Sequence, residues 1–561
     1  MAFGGIAKSL SRAWPGVLLV LIGIGYSLLG FDRGLNVYDE GVPVYGALRV
    51  LEGELPYRDF WTIYPPGQFL LLAAAFRVFG VSLMVERLLS VVIIALVSAL
   101  VWGLARQVLA PVHALLVWAL WAFAFGAIEL YGTTLPTALV ASLVGWWLFL
   151  AFLVAPSPRR LVASGAALGA AMLLKQDIAL YGLAAEAAVV LGFTMCGPRE
   201  PRRRAGLALT RLALLFAGVA AVVVPAVAAL ALAMPLGAVF DEVLWFPLTG
   251  FASARRLAPP PLLPSAAPLW SGQMDPWTYF VVVHHSVRFY FPFAVLLLAA
   301  GWAVRSFRRS SAAPAAVEAP ADGWALAFLG VLCVSLLGYA RVRSDMAHIV
   351  PAWIPALTLF VALATRLAGP AAVRWLRVTA VTVVGLVFVV PSLWLKLLVG
   401  AHALFGPPMS ASDLPRARGL VMSTALASLG TAAREVQAVV PAGEPIFVGN
   451  ARHDRIVLND VMFYFLAERP SATRYHELHP GVATRHDVQL EIAGELERRR
   501  VRWVVLRRDR RVEPGGELFN TPEGAHELDR YIRATFVPVR ELGSYSLWQR
   551  RASWADGNVS P

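Results

Sequence analysis

Leu212–Met234 reads LALLFAGVAAVVVPAVAALALAM, twenty-three residues without one charged side chain. About 20 helical residues cross the hydrocarbon core of a bilayer, so this stretch is long enough to span. Leu326–Ala340 is a second run without charge. Over its 561 residues the chain is 58% hydrophobic and 15% charged, where a soluble domain is about half apolar and about a quarter charged. The expected fold class is a polytopic α-helical membrane protein.

Working outward, apolar segments fall at 14–31, 67–79, 87–105, 112–128, 137–154, 161–174, 178–196, 208–234, 287–304, 324–340, 349–367 and 376–399. Short Arg-rich loops mark the cytoplasmic side. Lys8 and Arg12, Arg159 and Arg160, Arg199–Arg211, Arg305–Arg309 and Arg366–Arg377 are therefore placed inside. The first outer loop 32–66, the Lys175 turn, the long loop 235–285 and Arg341–His348 then lie outside. Three segments separate Asp39 from Gly132, yet both should face outward. Segment 112–128 is opened by Pro111 and His113 and closed by Gly126 and Glu129, and is read as a pair of half-membrane helices. This predicts eleven full crossings, or thirteen helices if the halves are counted. The N-terminus is read as a retained first helix, because no clear small-residue cleavage site follows it.

The net charge of +13 is explained by these orientation loops, which excludes nucleic acid as a partner. Cys196 and Cys333 stand far apart and support neither a disulfide framework nor a metal site. An Ala/Pro-rich linker covers Ser310–Asp322. After about residue 400 the apolar runs shorten and charge becomes dense. Pro445–Asn450 (PIFVGN) and Val501–Arg508 (VRWVVLRR) read as strands. Between them, Val488, Ile492 and Leu496 recur at helical spacing. The prediction is a membrane domain over 1–400 and an extracytoplasmic α/β domain over 401–561.

The stretch Asn36–Gly67, NVYDEGVPVYGALRVLEGELPYRDFWTIYPPG, carries the first candidate site. Asp39 and Glu40 are adjacent, and neighbours in a helix or turn point in different directions. One could take a proton from a substrate while the other hydrogen-bonds backbone or substrate. The plainer reading, carboxylates that only solvate an interfacial loop, stays open. Tyr57, Arg58, Asp59 and then Tyr64, Pro65 and Pro66 suggest a turn and a fixed helix start, a rigid platform. Met172–Ile178 (MLLKQDI) sets Lys175, Gln176 and Asp177 between two apolar runs. Charge at the edge of a span is expensive and a functional candidate, against a simple Lys–Asp pair. Tyr339–Trp353 (YARVRSDMAHIVPAW) places Arg341, Arg343, Asp345 and His348 in one outer loop. Arginine there runs against the positive-inside trend, and a lipid phosphate would account for it. His284, His285, His453, His476, His479 and His486 show no metal-ligand spacing.

The pattern DEG, then PYRDF, then YPPG resembles the GT-C class of polytopic glycosyltransferases. Nearest are the protein O-mannosyltransferase-like and aminoarabinose-transferase-like enzymes of glycosyltransferase family 39 type. The resemblance covers about 1–400 and implies a GT-C-like bundle that moves a sugar from a polyprenyl phosphate with inversion. It implies Asp39, with Glu40 beside it, as catalytic base. Lys175, Gln176, Arg341, Arg343 and His348 would hold the donor phosphate, and Tyr57–Asp59 with Tyr64–Pro66 would form the substrate loop. The implied partners are membrane lipid, a polyprenyl-phosphate sugar and a cell-envelope acceptor, either glycan, lipid or protein. No DxD occurs in the first loop, so no cofactor is expected and a divalent metal is not favoured. Tyr131–Pro136 (YGTTLP) departs from the family, which often has an Asp there. The Arg/Ala-rich composition suggests a bacterium, and thus the cytoplasmic (inner) membrane with the N-terminus inside. A lipid or sugar transporter, or an inactive scaffold with this fold, are the competing readings. The absence of a repeat and the gathering of charge at one interface oppose the first.

Overall fold

The computed structural model describes residues 2–197, 200–311, 321–366, 371–406, 411–421, 424–455, 458–479, 481–508 and 524–551. Arg199 and most of the predicted linker 310–322 lie outside the described residues.

The chain opens with α1 (Ala2–Ser27), α2 (Gly41–Leu51), α3 (Gly67–Phe79), α4 (Leu83–Ala105), α5 (Pro111–Phe125), α6 (Thr134–Val154), α7 (Pro158–Met172), α8 (Gln176–Met195) and α9 (Pro201–Ala231). Four short helices follow, α10 (Leu236–Phe240), α11 (Phe246–Thr249), α12 (Phe251–Arg255) and α13 (Ala267–Trp270). Long helices resume with α14 (Pro276–Ser311), α15 (Ala321–Ala340), α16 (Met346–Arg366), α17 (Ala371–Phe388) and α18 (Val390–Phe405). Proline at the start of α5, α7 and α9 sits where a missing N–H costs nothing. Among the described residues, eight helical runs are long and apolar enough to cross a membrane by length and composition: α4, α6, α8, α9, α14, α15, α16, and α17 with α18 as one 33-residue run.

Contacts between loops fix which end of the bundle each helix reaches. Gly67 N donates to Leu173 O at 2.8 Å, so α3 begins where α7 ends. Arg87, in the first turns of α4, donates to Glu40 and to Phe31 O, so α4 begins at that same end. Helix α3 therefore does not cross. It lies along the end of the bundle, and Leu72, Ala73 and Phe76 face the C-terminal domain instead of lipid. This corrects the reading of 67–79 as a span. It also removes the conflict that led to splitting 112–128: α5 is one unbroken helix.

Inside the membrane the backbone must satisfy itself. Pro391 follows the break between α17 and α18, and Arg288 of α14 covers the freed carbonyls. It donates to Val387 O at 3.1 Å and Phe388 O at 2.6 Å. Helices α7 and α9 pack closely, and a Cβ at Gly218 would fall 2.1 Å from Val162 O.

The C-terminal region is the predicted α/β unit with additions. It contains α19 (Thr424–Val439), β1 (Ile446–Asn450), α20 (Met462–Ala467), α21 (His486–Arg498), β2 (Trp503–Arg507), α22 (Glu527–Thr535), β3 (Phe536–Leu542) and β4 (Tyr545–Arg550). The sheet order is β1-β2-β4-β3. Strands β1 and β2 are parallel across α21, as strand–helix–strand spacing predicts, and β4 joins β2 antiparallel. The β3–β4 hairpin was not predicted. The sheet region is not a separate lobe. Tyr38, Val42 and Leu48 share one apolar core with Val436, Val448 and Phe465, and Tyr45 stacks on Tyr464 at 5.0 Å.

Candidate functional site

The first loop, the α7–α8 turn, the α15–α16 turn, the stretch 236–275 and the C-terminal domain converge at one end of the bundle. Asn36 shapes the first of these. Its Oδ1 accepts from Tyr38 N at 3.2 Å and Asp39 N at 2.8 Å, an Asx turn. Its Nδ2 donates to Asp39 Oδ2 at 3.1 Å. Asp39 is exposed. Glu40 is 1% exposed and accepts both arms of Arg87, at 2.6 Å and 2.9 Å. Arg87 also donates to Phe31 O and Gly34 O and lies 4.2 Å from the Tyr131 ring. The two carboxylates thus point apart as expected, but the role assigned to Glu40 beside Asp39 does not suit its geometry. Glu40 is locked inside, fastening the loop to α4.

Lys175 Nζ lies 5.7 Å from the Tyr64 ring and 5.3 Å from the Tyr339 ring, with Asp177 at 3.5 Å. Tyr64 is near Asp39 as well. Burial first, then the charges of Glu477 and Asp39, hold its phenol well above the usual range, with Arg255 opposing. Gly67 closes the Tyr64-Pro65-Pro66 corner against the Lys175 turn, because a Cβ there would meet Leu173 O at 2.4 Å. Tyr64, Pro65 and Pro66 therefore sit against the Lys175 turn. Tyr57, Arg58 and Asp59 do not. Tyr57 is buried at φ 67° and donates to Tyr64 O at 2.7 Å. Arg58 and Asp59 pair with each other, and Asp59 accepts from Leu55 N. This turn holds the loop against the C-terminal domain, where Trp61 N donates to Arg474 O.

The α15–α16 turn is tied to the long loop through Leu257 N to Val342 O at 3.0 Å and Ser344 N to Leu257 O at 3.3 Å. Asp345 organises it. Its carboxylate accepts from Arg343 Nε at 2.5 Å and His348 N at 3.1 Å, and meets His348 Nδ1 at 2.6 Å. Burial works to raise this carboxyl, but the His348 and Arg343 contacts together hold it well below its ordinary range. His348 lies 4.6 Å from the Tyr339 ring, which also neighbours Lys175. Arg341 is exposed and has no ion pair among the described residues. Gln176 is tied by its Nε2 to Val243 O at 3.0 Å. Of the residues expected at a phosphate, Lys175 lies 3.5 Å from Asp177, Arg341 is exposed, Arg343 and His348 share one carboxylate, and Gln176 joins the loops.

Several residues here escaped the sequence reading. Glu242 accepts from Thr62 N at 3.0 Å and from Arg474 Nη2 at 2.6 Å, and burial pushes it up to about 7. Glu477 accepts from Tyr38 OH at 2.6 Å, and burial raises it to about 8. Both come from elements distant in sequence, and nothing local marks them. Glu86 and Arg87 did carry a signal, since VERLLS puts two charges at the start of an apolar helix. Among the described residues, one group has metal-ligating geometry, Asp454, His526 and Asp529. It lies in the C-terminal domain, contains none of the predicted site residues, and has Arg452 on Asp454 and His453 on Asp529.

In class, the chain is a multi-pass membrane protein with the GT-C architecture, a helix bundle whose loops and C-terminal domain close over one end. In particular, residues 64–228 match the family model described as dolichyl-phosphate-mannose-protein mannosyltransferase. That match includes Tyr64–Pro66 and the Lys175 turn. ArnT from Cupriavidus metallidurans bound to undecaprenyl phosphate superposes with a TM-score of 0.53 at 16% identity, over 98% of this chain and 100% of that one. The same protein in the apo state gives 0.52 at 15%, with the same coverage. An Archaeoglobus fulgidus oligosaccharyltransferase tethered with an acceptor peptide is looser, with a TM-score of 0.48 at 12% identity over 95% and 73% of the two chains. No curated protein sequence matches the chain.

Proposed function

We propose that the chain is an inverting glycosyltransferase that moves a sugar from a polyprenyl-phosphate donor to a cell-envelope acceptor at the extracytoplasmic face. The observation that carries this reading is one exposed carboxylate, Asp39, set at the bundle end that also presents Lys175 and Arg341. The polyprenyl tail lies in the bilayer and brings its phosphate to this end. Asp39 takes the proton of an acceptor hydroxyl as that oxygen attacks the anomeric carbon. The bond from that carbon to the phosphate oxygen breaks, and the phosphate leaves with the electron pair. Lys175 and Arg341 stabilise the charge that grows there, and an arginine fork suits phosphate oxygens. Attack opposite the leaving group inverts the centre with no covalent intermediate. No step calls on a metal.

The test supplies labelled polyprenyl-phosphate sugars and an envelope extract to the purified chain in lipid. Transfer by the wild type, reduced at least about a hundredfold in Asp39→Asn with donor binding intact, is expected for loss of a general base. A retained anomeric configuration, or full activity in Asp39→Asn, overturns the scheme.

A further inference from the structure

The C-terminal domain reaches into this end of the bundle at one buried point, Glu477. The carboxyl is 0% exposed and takes the Tyr38 hydroxyl on Oε1 at 2.6 Å, across 439 positions of sequence. Its other oxygen, Oε2, is buried without a hydrogen-bond partner among the described residues. Tyr38 directly precedes Asp39, and both amides are held by Asn36 Oδ1. Movement of Tyr38 is thus passed to Asp39 through a rigid turn. A buried ionised carboxylate normally collects several donors. This one has a single phenol, which suits a neutral acid.

We propose that Glu477 is a positioning residue of the transfer site, supplied by the C-terminal domain, which as a neutral carboxyl fixes Tyr38 and thereby the base Asp39. The inference rests on the transfer reading above. The groups that face Glu477 come from every side: Tyr38 and Asp39 of the first loop, and Arg255 and Glu242 of the long loop. Burial is the largest influence, the Tyr38 hydrogen bond and Arg255 favour ionisation, Asp39 and Glu242 oppose it, and the group is pushed up to about 8. Ionisation above that pH adds a buried negative charge whose field reaches Asp39. An anionic donor is then repelled, and the Tyr38 anchor changes character.

The experiment measures kcat and KM of wild type, Glu477→Gln, Glu477→Ala and Tyr38→Phe in lipid from pH 6 to 9. Glutamine keeps an acceptor for Tyr38 and cannot ionise. Wild type is expected to show an alkaline decline of kcat/KM near pH 8, and Glu477→Gln to stay within about threefold of it at pH 6.5 and to lack that decline. Glu477→Ala and Tyr38→Phe are expected to lower kcat about tenfold or more, with KM at pH 6.5 little changed. If Glu477→Gln is as impaired as Glu477→Ala, or keeps the same alkaline decline, the inference fails while the transfer reading stands. If the wild type transfers no sugar from any donor, the transfer reading itself fails.

Discussion

At the residue scale, the adjacent carboxylates Asp39 and Glu40 divide into two jobs by orientation alone. Asp39 faces out, while Glu40 is held by both arms of a guanidinium that is 1% exposed. Removing one partner of a buried pair costs roughly 3–5 kcal/mol where the other charge is left uncompensated, and without Glu40 the nearest carboxylate left to Arg87 is Glu86 at 3.6 Å. Glu40→Ala is therefore expected to lower the thermal midpoint sharply, whereas Asp39→Asn leaves it little changed while lowering transfer at least about a hundredfold. A Glu40→Ala protein of wild-type stability without activity would move the base to Glu40. The sequence showed that these side chains diverge, but not which turns inward. That choice is made by Arg87, forty-seven residues on, and by the carbonyls of Phe31 and Gly34 that complete its shell.

At the element scale, α3 decides the topology. Its thirteen residues are apolar enough to pass for a short span, and composition cannot separate a helix covered by lipid from one covered by protein. The cover comes from Val448 and Phe465, nearly 400 residues away, so the sequence reading kept α3 as a crossing and wrongly divided α5. A cysteine scan tests the correction. Arg58→Cys in the first loop and Arg77→Cys in the last turn of α3 are both at exposed positions. Both are expected to react with an impermeant maleimide from the same side of the membrane; opposite sides would restore α3 as a span. The parallel pair β1–β2 was legible because β1 is a buried apolar run followed by an amphipathic helix. The β3–β4 hairpin was not, because β3 exposes Pro538, Val539, Arg540 and Glu541 in succession and so lacks the alternation that marks a half-buried strand.

At the scale of the whole molecule, the bundle and the C-terminal domain are joined through a junction of low-dielectric carboxyls. Glu242 and Glu477 both keep a proton in the folded chain beyond the ordinary glutamate value of 4.5, to about 7 and about 8. In the unfolded chain each loses that proton near its ordinary value. Their contribution to stability is full below about pH 4.5, falls as pH rises through the interval, and is gone above about pH 8. Each group costs on the order of 1.4 kcal/mol per pH unit across its own window. The chain is therefore expected to lose stability between pH 5 and 8 even though no histidine need be charged. Glu477→Gln removes one of the two groups without breaking the Tyr38 contact, while Glu242→Gln would also disturb the Arg474 pair. Thermal unfolding in lipid should show the Glu477→Gln midpoint drawing ahead of wild type as pH rises from 5 to 8, with no further gain above. Two curves that stay parallel across that range would mean that Glu477 is ionised in the folded chain, and the junction would then have to be held by charge pairing with Arg255.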